Sequence, residues 1–247
     1  MKPPKVSAVI PARFQSSRYP GKPLVEILGV PLVVRVANNC IEALGRENTW
    51  VATDDERIAK LCRDNDIQSV VTSSRHPTGT DRVAEATELL GLDLVINLQG
   101  DEPLVASVDI EKIAERLAEN PSKVVLGCAP ATLEEGRRAS IPKLVRGFQD
   151  RVIYVSRAAL PADKSGELNG EGLLKQVAIY GFSRENLDLF ANSPRGLAET
   201  AEDIEILRFL EIGVPVRAVQ FESGSVAVDY PEDVLEVVKE LERLGLA

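Results

Sequence analysis

VSAVIPARFQSSRYPGKPL, residues 6–24, is the stretch that decides how this chain folds. Its apolar run ends at Pro11. The loop that follows carries three cations among small residues: Arg13, Arg18 and Lys22. A short buried strand that ends in a cationic loop suits a phosphate chain, because open parallel sheets bind ligands beyond the carboxyl ends of their strands. The alternative interpretation is a surface loop with solvated charges.

Sequence motifs and overall charge narrow the kind of ligand. The chain contains neither G-x-x-x-x-G-K-[ST] nor G-x-G-x-x-G, so neither a Walker-type NTPase nor a Rossmann dehydrogenase is indicated. Its 247 residues are 44% hydrophobic, enough for a large core, and carry a formal net charge of −9. An acidic chain lacks the broad basic face of a nucleic-acid binder, so a local basic loop points to a small anionic ligand.

Two further features bear on where the protein works. No apolar run approaches the roughly 18 to 20 residues that span a membrane, and the N-terminus lacks a signal-peptide core. We therefore expect a cytoplasmic protein with neither a membrane nor a nucleic acid as partner. The cysteines, Cys40, Cys62 and Cys128, are odd in number and have no neighbouring His. That pattern predicts reduced structural thiols rather than disulfides or a zinc site.

Strand-like and helix-like patterns alternate over the first half of the chain. The predicted strands are residues 6–10, 49–53, 67–71 and 94–98, and the predicted helices are residues 30–44, 56–65, 82–90 and 110–120. A loop rich in Ser, Thr and Gly is expected at 73–81. Repeated strand-then-helix units predict an α/β fold with a mostly parallel, doubly wound sheet.

The regular alternation of predicted strands and helices ends at about residue 124. Strands are predicted at 124–129, 143–147, 151–155, 176–182, 216–221 and 225–228, with helices at 184–192, 201–210 and 231–244 and a loop at 163–173. The short gap between the second and third of these strands predicts an antiparallel hairpin. We expect a single domain over residues 1–247, with a smaller β-rich excursion at about 130–182.

Two carboxylates each follow an apolar run. Asp101 lies in QGDEP after the strand at 94–98, and Asp229 lies in VDYPED after the predicted strand at 225–228. Magnesium takes one or two carboxylates and completes its shell with water and phosphates, so both are candidate ligands. The alternatives are an ordinary turn for Asp101 and a helix cap for Asp229, with Asp233 decorating the first helical turn.

The motifs together resemble a known family. IPARFQSSRYPGKPL, VATDDERI, HPTGTDR, NLQGDEP, YVSRAALP, AIYGF and VDYPED occur in the order found in the 3-deoxy-manno-octulosonate (KDO) cytidylyltransferases, the CMP-KDO synthetases. They cover nearly the whole chain, although the first is shared more loosely with other sugar nucleotidyltransferases. The resemblance implies a nucleotide-diphospho-sugar transferase-like fold and transfer of CMP from CTP to a sugar acid. It also implies that the β-rich excursion forms a homodimer.

The resemblance assigns roles to particular residues. It implies catalysis by Arg13, Lys22, Asp101 and Asp229, with the two Asp residues binding Mg²⁺. The implied nucleotide-binding residues are Pro11, Ala12, Arg13, Ser17, Lys22, Ser73, Gly79, Thr80, Arg82 and Gln99. The implied acceptor-binding residues are Gln99, Arg157, Gln176, Tyr180, Glu205 and Ile206. The chain's only His, His76, belongs to the nucleotide loop, so no general-base His is expected in the acceptor pocket.

Departures from the family pattern fall on the acceptor side. QVAIY stands where the family usually reads H-[LV]-G-[IV]-Y, and IEILR stands where it reads L-E-Q-L-R, so Gln176 replaces a His and Ile206 replaces a Gln. The nucleotide and metal motifs are intact. We therefore expect CTP chemistry with KDO or a modified KDO, such as the 8-amino analogue, as acceptor. The alternatives are another acidic acceptor, such as a different sugar acid or a phosphonate, and a non-catalytic nucleotide-binding regulator.

Overall fold

A computed structural model describes residues 5–15, 19–168 and 170–246, in which a nine-stranded sheet carries helices on both faces. The strands are β1 (Val6–Ala12), β2 (Glu26–Ile27), β3 (Val30–Pro31), β4 (Thr49–Thr53), β5 (Gln68–Val71), β6 (Leu94–Leu98), β7 (Val124–Pro130), β8 (Lys143–Arg146), β9 (Val152–Ser156), β10 (Leu174–Ser183) and β11 (Val216–Gln220). The α-helices are α1 (Leu32–Leu44), α2 (Glu56–Asp64), α3 (Gly79–Leu90), α4 (Ser107–Glu119), α5 (Leu133–Arg137), α6 (Arg184–Ala191), α7 (Leu197–Glu202), α8 (Leu207–Glu211) and α9 (Asp233–Leu244). β2 and β3 form a separate two-stranded ribbon.

Four strands form the parallel half of the large sheet, in the order β6, β1, β4, β5. This confirms the predicted parallel sheet, and the bounds of β4 and β6 match the prediction. β1 runs past its predicted end at Ile10 as far as Ala12. Pro11 stays in register with Ala52 of β4, since the fixed φ of proline is compatible with extended backbone.

Apolar side chains pack on both faces of this half, so the sheet is doubly wound as predicted. Along β1, Ala8 and Ile10 join the core formed with α1, α2, α4 and α9, whereas Val9 joins the core formed with α3, α6 and α8. The alternation follows from the strand itself, because successive side chains point to opposite faces. Every residue of β6 is buried, which is typical of a parallel strand covered on both sides.

The second half of the sheet changes direction. β10 runs antiparallel between β6 and β7, and β11 adds to β7 in parallel. β8 and β9 form the predicted antiparallel hairpin, and β8 also pairs with the start of β10. The pairing of β10 with β7 shifts register between Gln176 and Tyr180, so the strand is bulged there.

Two predicted elements are wrong. The helix expected at 201–210 is two helices, α7 and α8, because Asp203 adopts a left-handed conformation (φ 52°) between them. The stretch at 225–228, expected to be a strand, is irregular. It pairs with no neighbouring strand in the described part of the chain, and the N–H of Val228 instead donates to the carbonyl of Asp101 at 2.9 Å.

The cysteines lie in the cores. Cys40, Cys62 and Cys128 are buried free thiols, and burial raises the pKa of Cys62 and of Cys128 to about 11. A thiol held protonated in this way is a weak nucleophile, so these residues serve packing. Among the helices of the described residues, none has the length and apolar content needed to cross a membrane.

Candidate active site

A cleft lies at the carboxyl ends of β1 and β6. The predicted site residues that line it are Pro11, Ala12, Arg13, Lys22, Gly79, Arg82, Gln99, Asp101, Arg157 and Glu205. Neighbouring parallel strands end at the same edge of a sheet, so the loop after β1 and the turn after β6 meet there. Ser17 lies outside the described residues.

Lys22 joins the cationic loop to the predicted metal ligands. Its ammonium nitrogen donates to Asp101 Oδ2 at 2.7 Å and to the carbonyl of Val228 at 2.8 Å, and lies 4.0 Å from Asp229 Oδ1. The loop folds back because the N–H of Gly21, at φ 75°, donates to the carbonyl of Phe14 at 2.8 Å. Three segments that are remote in sequence therefore meet around one positive charge.

Gly100 allows the turn after β6 to approach β1. A Cβ atom at this position would lie 2.8 Å from the backbone carbonyl oxygen of Pro11. Any larger residue would push the two segments apart. The glycine in QGDEP therefore sets the distance between the cationic loop and Asp101.

Asp229 does not cap the last helix. The N-cap residue of α9 is Glu232, which makes no side-chain capping bond. Asp233 Oδ2 instead accepts from the backbone N–H groups of Asp229 and Tyr230, both at 2.7 Å. Asp233 therefore fixes the backbone that presents Asp229 to Lys22, a role beyond the decoration of a first helical turn.

The two carboxylates fit a hard divalent cation. Asp101 and Asp229 flank a single ammonium group at the cleft, and magnesium characteristically uses one or two carboxylates together with water and substrate phosphates. No cluster of three or more His, Cys, Asp or Glu ligands occurs among the described residues. A nucleotide-bound magnesium ion suits this donor set better than a site made wholly by protein.

The start of α3 also lines the cleft. The helix begins at Gly79, earlier than the predicted residue 82, because the Thr78 side chain caps it. Glu205 accepts from the N–H groups of Gly79 at 3.1 Å and Thr80 at 2.8 Å. Burial raises the pKa of Glu205. The carboxyl group thus ties the segment between α7 and α8 to the first turn of α3.

Buried arginines support the start of α3. Arg82 donates to Thr72 Oγ1 at 2.5 Å and pairs with Asp54 at 3.2 Å, while its burial lowers its pKa. Arg208 donates twice to Glu199, at 2.7 Å each, and lies 3.2 Å from Asp81. Glu199 is completely buried, and no motif of the sequence marked it.

Arg157 reaches the cleft from the end of β9. Its side chain donates to the carbonyl of Glu202 at 2.6 Å, and its N–H donates to the carboxylate of the same residue at 2.9 Å. The completely buried Lys143 donates to the Arg157 carbonyl at 2.6 Å, and burial lowers its pKa. Lys143, which the sequence did not single out, therefore anchors the backbone of Arg157.

Three predicted acceptor residues are not among those that line the cleft. Gln176 Nε2 donates to the Tyr180 hydroxyl at 2.9 Å across the bulge of β10. Tyr180 and Ile206 are buried in one apolar cluster, and burial together with the charge of Glu205 raises the pKa of Tyr180. Their role toward an acceptor stays a prediction.

Glu102 is a buried carboxyl group that sequence reasoning missed. Its Oε1 accepts from the N–H of Ala178 at 3.0 Å, and the Gln99 N–H donates to the Ala178 carbonyl at 3.0 Å. Burial, and then the charge of Asp101, raise the pKa of Glu102 to about 7. The turn after β6 therefore holds both backbone polar groups of the central bulge residue.

His76 and Ser73 belong to the loop before α3. His76 lines the cleft, which its position in the nucleotide loop argued against, but its Nε2 is engaged by the carboxylate of Glu85. The N–H of Ser73 donates to the same carboxylate at 2.7 Å. Glu85 therefore shapes this loop, and His76 is held at the nucleotide side of the cleft.

Known proteins resemble this chain in sequence and in fold. The family profile described as Cytidylyltransferase matches residues 7–220. The 3-deoxy-manno-octulosonate cytidylyltransferase of Bdellovibrio bacteriovorus is 35% identical over 98% of this chain and 100% of its own length. The enzyme of that name from Escherichia coli is 33% identical over 98% of both chains.

The chain belongs to the 3-deoxy-manno-octulosonate cytidylyltransferase family. A solved CMP:2-keto-3-deoxy-manno-octonic acid synthetase complexed with CTP superposes with a TM-score of 0.89 at 32% identity, covering 97% of this chain and 99% of that one. This family of CTP-dependent nucleotidyltransferases has the fold and the mostly parallel sheet predicted from the sequence. A thymidylyltransferase from Bacillus anthracis, 11% identical with a TM-score of 0.68, shares the fold alone.

Proposed function

We propose that this chain transfers CMP from CTP to a 3-deoxy-ulosonic acid and releases pyrophosphate. The observation that carries the proposal is the contact of Lys22 with Asp101 in a cleft that Arg157 and Glu205 also line, with Asp229 4.0 Å from the same ammonium nitrogen. Relatives named for this reaction, and a structural neighbour complexed with CTP, support it. The joint presence of the cation and both carboxylates argues against a non-catalytic regulator.

The side chains have distinct tasks in this reaction. A hydroxyl oxygen of the sugar acid forms a bond to the α-phosphorus of CTP and loses its proton, while the bond from that phosphorus to the bridging oxygen of pyrophosphate breaks. Arg13 and Lys22 offset the charge on the departing pyrophosphate. Asp101 and Asp229 would hold Mg²⁺, which when bound supplies positive charge at the α-phosphate. Arg157 adds a cation for the acceptor's carboxylate.

The identity of the acceptor rests on two substitutions. Gln176 is neutral where the family pattern has an imidazole, and Ile206 has no polar group where that pattern has an amide. A sugar hydroxyl facing an apolar side chain loses a hydrogen bond worth about 0.5 to 1.5 kcal/mol. We therefore expect KDO either to be a poorer substrate than it is for a typical member of the family or not to be the true acceptor, with a modified KDO such as the 8-amino analogue among the candidates. Another acidic acceptor is the second candidate, because both changes lie away from the nucleotide side.

We further propose a homodimer and a cytoplasmic setting. Phe148 at the tip of the β8–β9 hairpin is 97% exposed and Ile153 is 56% exposed, which supports a homodimer formed through the excursion at about 130–182. Light scattering at micromolar concentration should give twice the chain mass, and Phe148→Glu should halve it. Use of CTP and an ulosonic acid suits a cytoplasmic step that supplies lipopolysaccharide or another surface glycan.

A pyrophosphate-release assay tests the reaction. The purified chain with CTP and Mg²⁺ is offered KDO, its 8-amino analogue, other sugar acids and small phosphonates at equal concentration. Release that depends on an ulosonic acid supports the proposal. Pyrophosphate release with phosphonates alone, or no release with any acceptor of the panel, would overturn it. Asp101→Asn serves as the matched control, since it removes one charge without changing the size of the side chain.

A further inference from the structure

We propose that Glu102 is a positioning residue for the acceptor: its carboxyl group holds the bulge of β10 and thereby sets the place of Gln176 and Tyr180. The inference rests on the proposed function, because the acceptor role of those two side chains does. Glu102 follows Asp101 directly, so one turn would then serve the metal and the acceptor together.

The first observation is that the turn after β6 forms hydrogen bonds to one residue of the bulge. Ala178 lies where the register of β10 against β7 shifts. Its N–H donates to Glu102 Oε1 at 3.0 Å, and its carbonyl accepts from the Gln99 N–H at 3.0 Å. Between Gln176 and Tyr180, β10 has two more residues than the facing stretch of β7 from Cys128 to Leu126, so its pairing with β7 is interrupted there. Within this interruption, both backbone polar groups of Ala178 bond to the turn after β6.

The second observation is what the bulge carries. Gln176 and Tyr180 flank the shift and bond to each other at 2.9 Å through their side chains. A bulge bends its strand and re-aims the side chains on either side of it. Without the Glu102 carboxylate, only the Gln99 bond would hold Ala178, so the backbone of the bulge would move more freely. The polar ends of Gln176 and Tyr180 would then move relative to the cleft.

The third observation concerns the other oxygen of the carboxyl group. Glu102 Oε2 and Ser225 Oγ are both buried, and neither has a hydrogen-bond partner among the described residues. A glutamine at this position keeps the acceptor for Ala178 and replaces the unpartnered oxygen with an NH₂ group. The isosteric amide is therefore the natural rescue variant.

The test compares Glu102→Met, which has similar length and no acceptor, with Glu102→Gln. Steady-state pyrophosphate release is measured with CTP and with the ulosonic acid that the wild-type chain uses best. We expect Glu102→Met to raise the KM for the sugar acid at least fivefold while the KM for CTP changes less than twofold. Glu102→Gln should stay within twofold of wild type in both. Glu102→Asp, which retracts the carboxylate by one methylene, replaces the Met variant if that variant does not fold.

Amide hydrogen exchange of the peptide covering 174–183 measures how firmly the bulge is held, and this measurement does not depend on enzyme turnover. Faster exchange in Glu102→Met, but not in Glu102→Gln, together with the selective rise in KM supports the inference. Equal rises in both KM values, an unchanged KM for the sugar acid, or unchanged exchange would each overturn it. A wild-type chain that turns over no ulosonic acid contradicts the proposed function instead, and the exchange result then still reports whether Glu102 holds the bulge.

Discussion

The two walls of the cleft are built in different ways. The predicted nucleotide side, which we call the nucleotide wall, comes from regular features: the ends of the parallel strands β1 and β6 and the first turn of α3. The predicted acceptor side, which we call the acceptor wall, involves irregular ones: the left-handed residue Asp203 between α7 and α8, which lines the cleft, and the bulge of β10, whose flanking residues do not line it. The departures from the family pattern, Gln176 and Ile206, fall on the irregular wall. Regular elements therefore position the residues for the chemistry that the family shares, whereas the irregular segments can change with the acceptor.

The largest expected effect breaks the nucleotide wall. Asp101→Asn and Asp229→Asn should each lower kcat/KM by at least about a thousandfold, or about 4 kcal/mol, because the charge that holds the metal is lost. The melting temperature should change little, since both side chains are partly exposed. Asp93→Asn, whose side chain is 87% exposed, is the control. Near-normal activity with a lowered melting temperature in Asp229→Asn would mean that its role is structural.

The next effect concerns the buried ion pairs of Arg208 with Glu199 and Asp81, which support the start of α3. Arg208→Leu leaves the completely buried Glu199 without its principal partner, and breaking such a pair costs roughly 3 kcal/mol or more. Urea denaturation should show this loss in the free energy of unfolding. Arg195→Leu removes a partner of the same Glu199 whose own side chain is 36% exposed, so it should cost less than Arg208→Leu. Equal losses in the two variants would show that burial of Arg208 does not matter.

Base selectivity gives a smaller effect on the nucleotide wall. We expect CTP to be preferred over ATP and GTP by at least about tenfold in kcat/KM, or about 1.4 kcal/mol. The reason is the resemblance of HPTGTDR and the first loop to a pyrimidine site. Competition assays with each triphosphate at fixed sugar acid measure it. Equal turnover of a purine triphosphate contradicts this expectation.

The smallest effect is expected on the acceptor wall. The double variant Gln176→His with Ile206→Gln should shift the ratio of kcat/KM for KDO over the 8-amino analogue toward KDO by a few-fold, consistent with about 0.5 to 1.5 kcal/mol per hydrogen bond. Because Ile206 is 1% exposed, the melting temperature must be followed in parallel. Efficient use of KDO by the wild-type chain, with no change in the double variant, would make both substitutions neutral.

The sequence predicted the regular wall far better than the irregular one. The strands at 49–53 and 94–98 were found to the residue, because a buried parallel strand is a short apolar run bounded by turn residues. Lys22 and Asp101, predicted from their motifs, lie in contact. Such residues follow directly from the ends of predictable elements.

The errors share a physical origin in tertiary contacts. Residues 201–210 have helical apolar spacing, yet the bonds of Glu205 to the start of α3 accompany a break after α7. Residues 225–228 alternate like a strand but bond to the turn after β6. Glu102 bonds to the backbone of Ala178 and Lys143 to that of Arg157, and no local pattern encodes such partners. Asp233 instead bonds to backbone N–H groups three and four residues before it.

The position of β10 has a consequence for synthesis. This strand fills the gap between β6 and β7, although both of those strands precede it in the chain. On the ribosome, where domains form from the N-terminus, the edge of β6 therefore stays open until Ser183 has emerged. An open apolar edge invites pairing with other chains. The nucleotide wall can therefore form before the acceptor wall, which forms only when β10 pairs with β6 and β7.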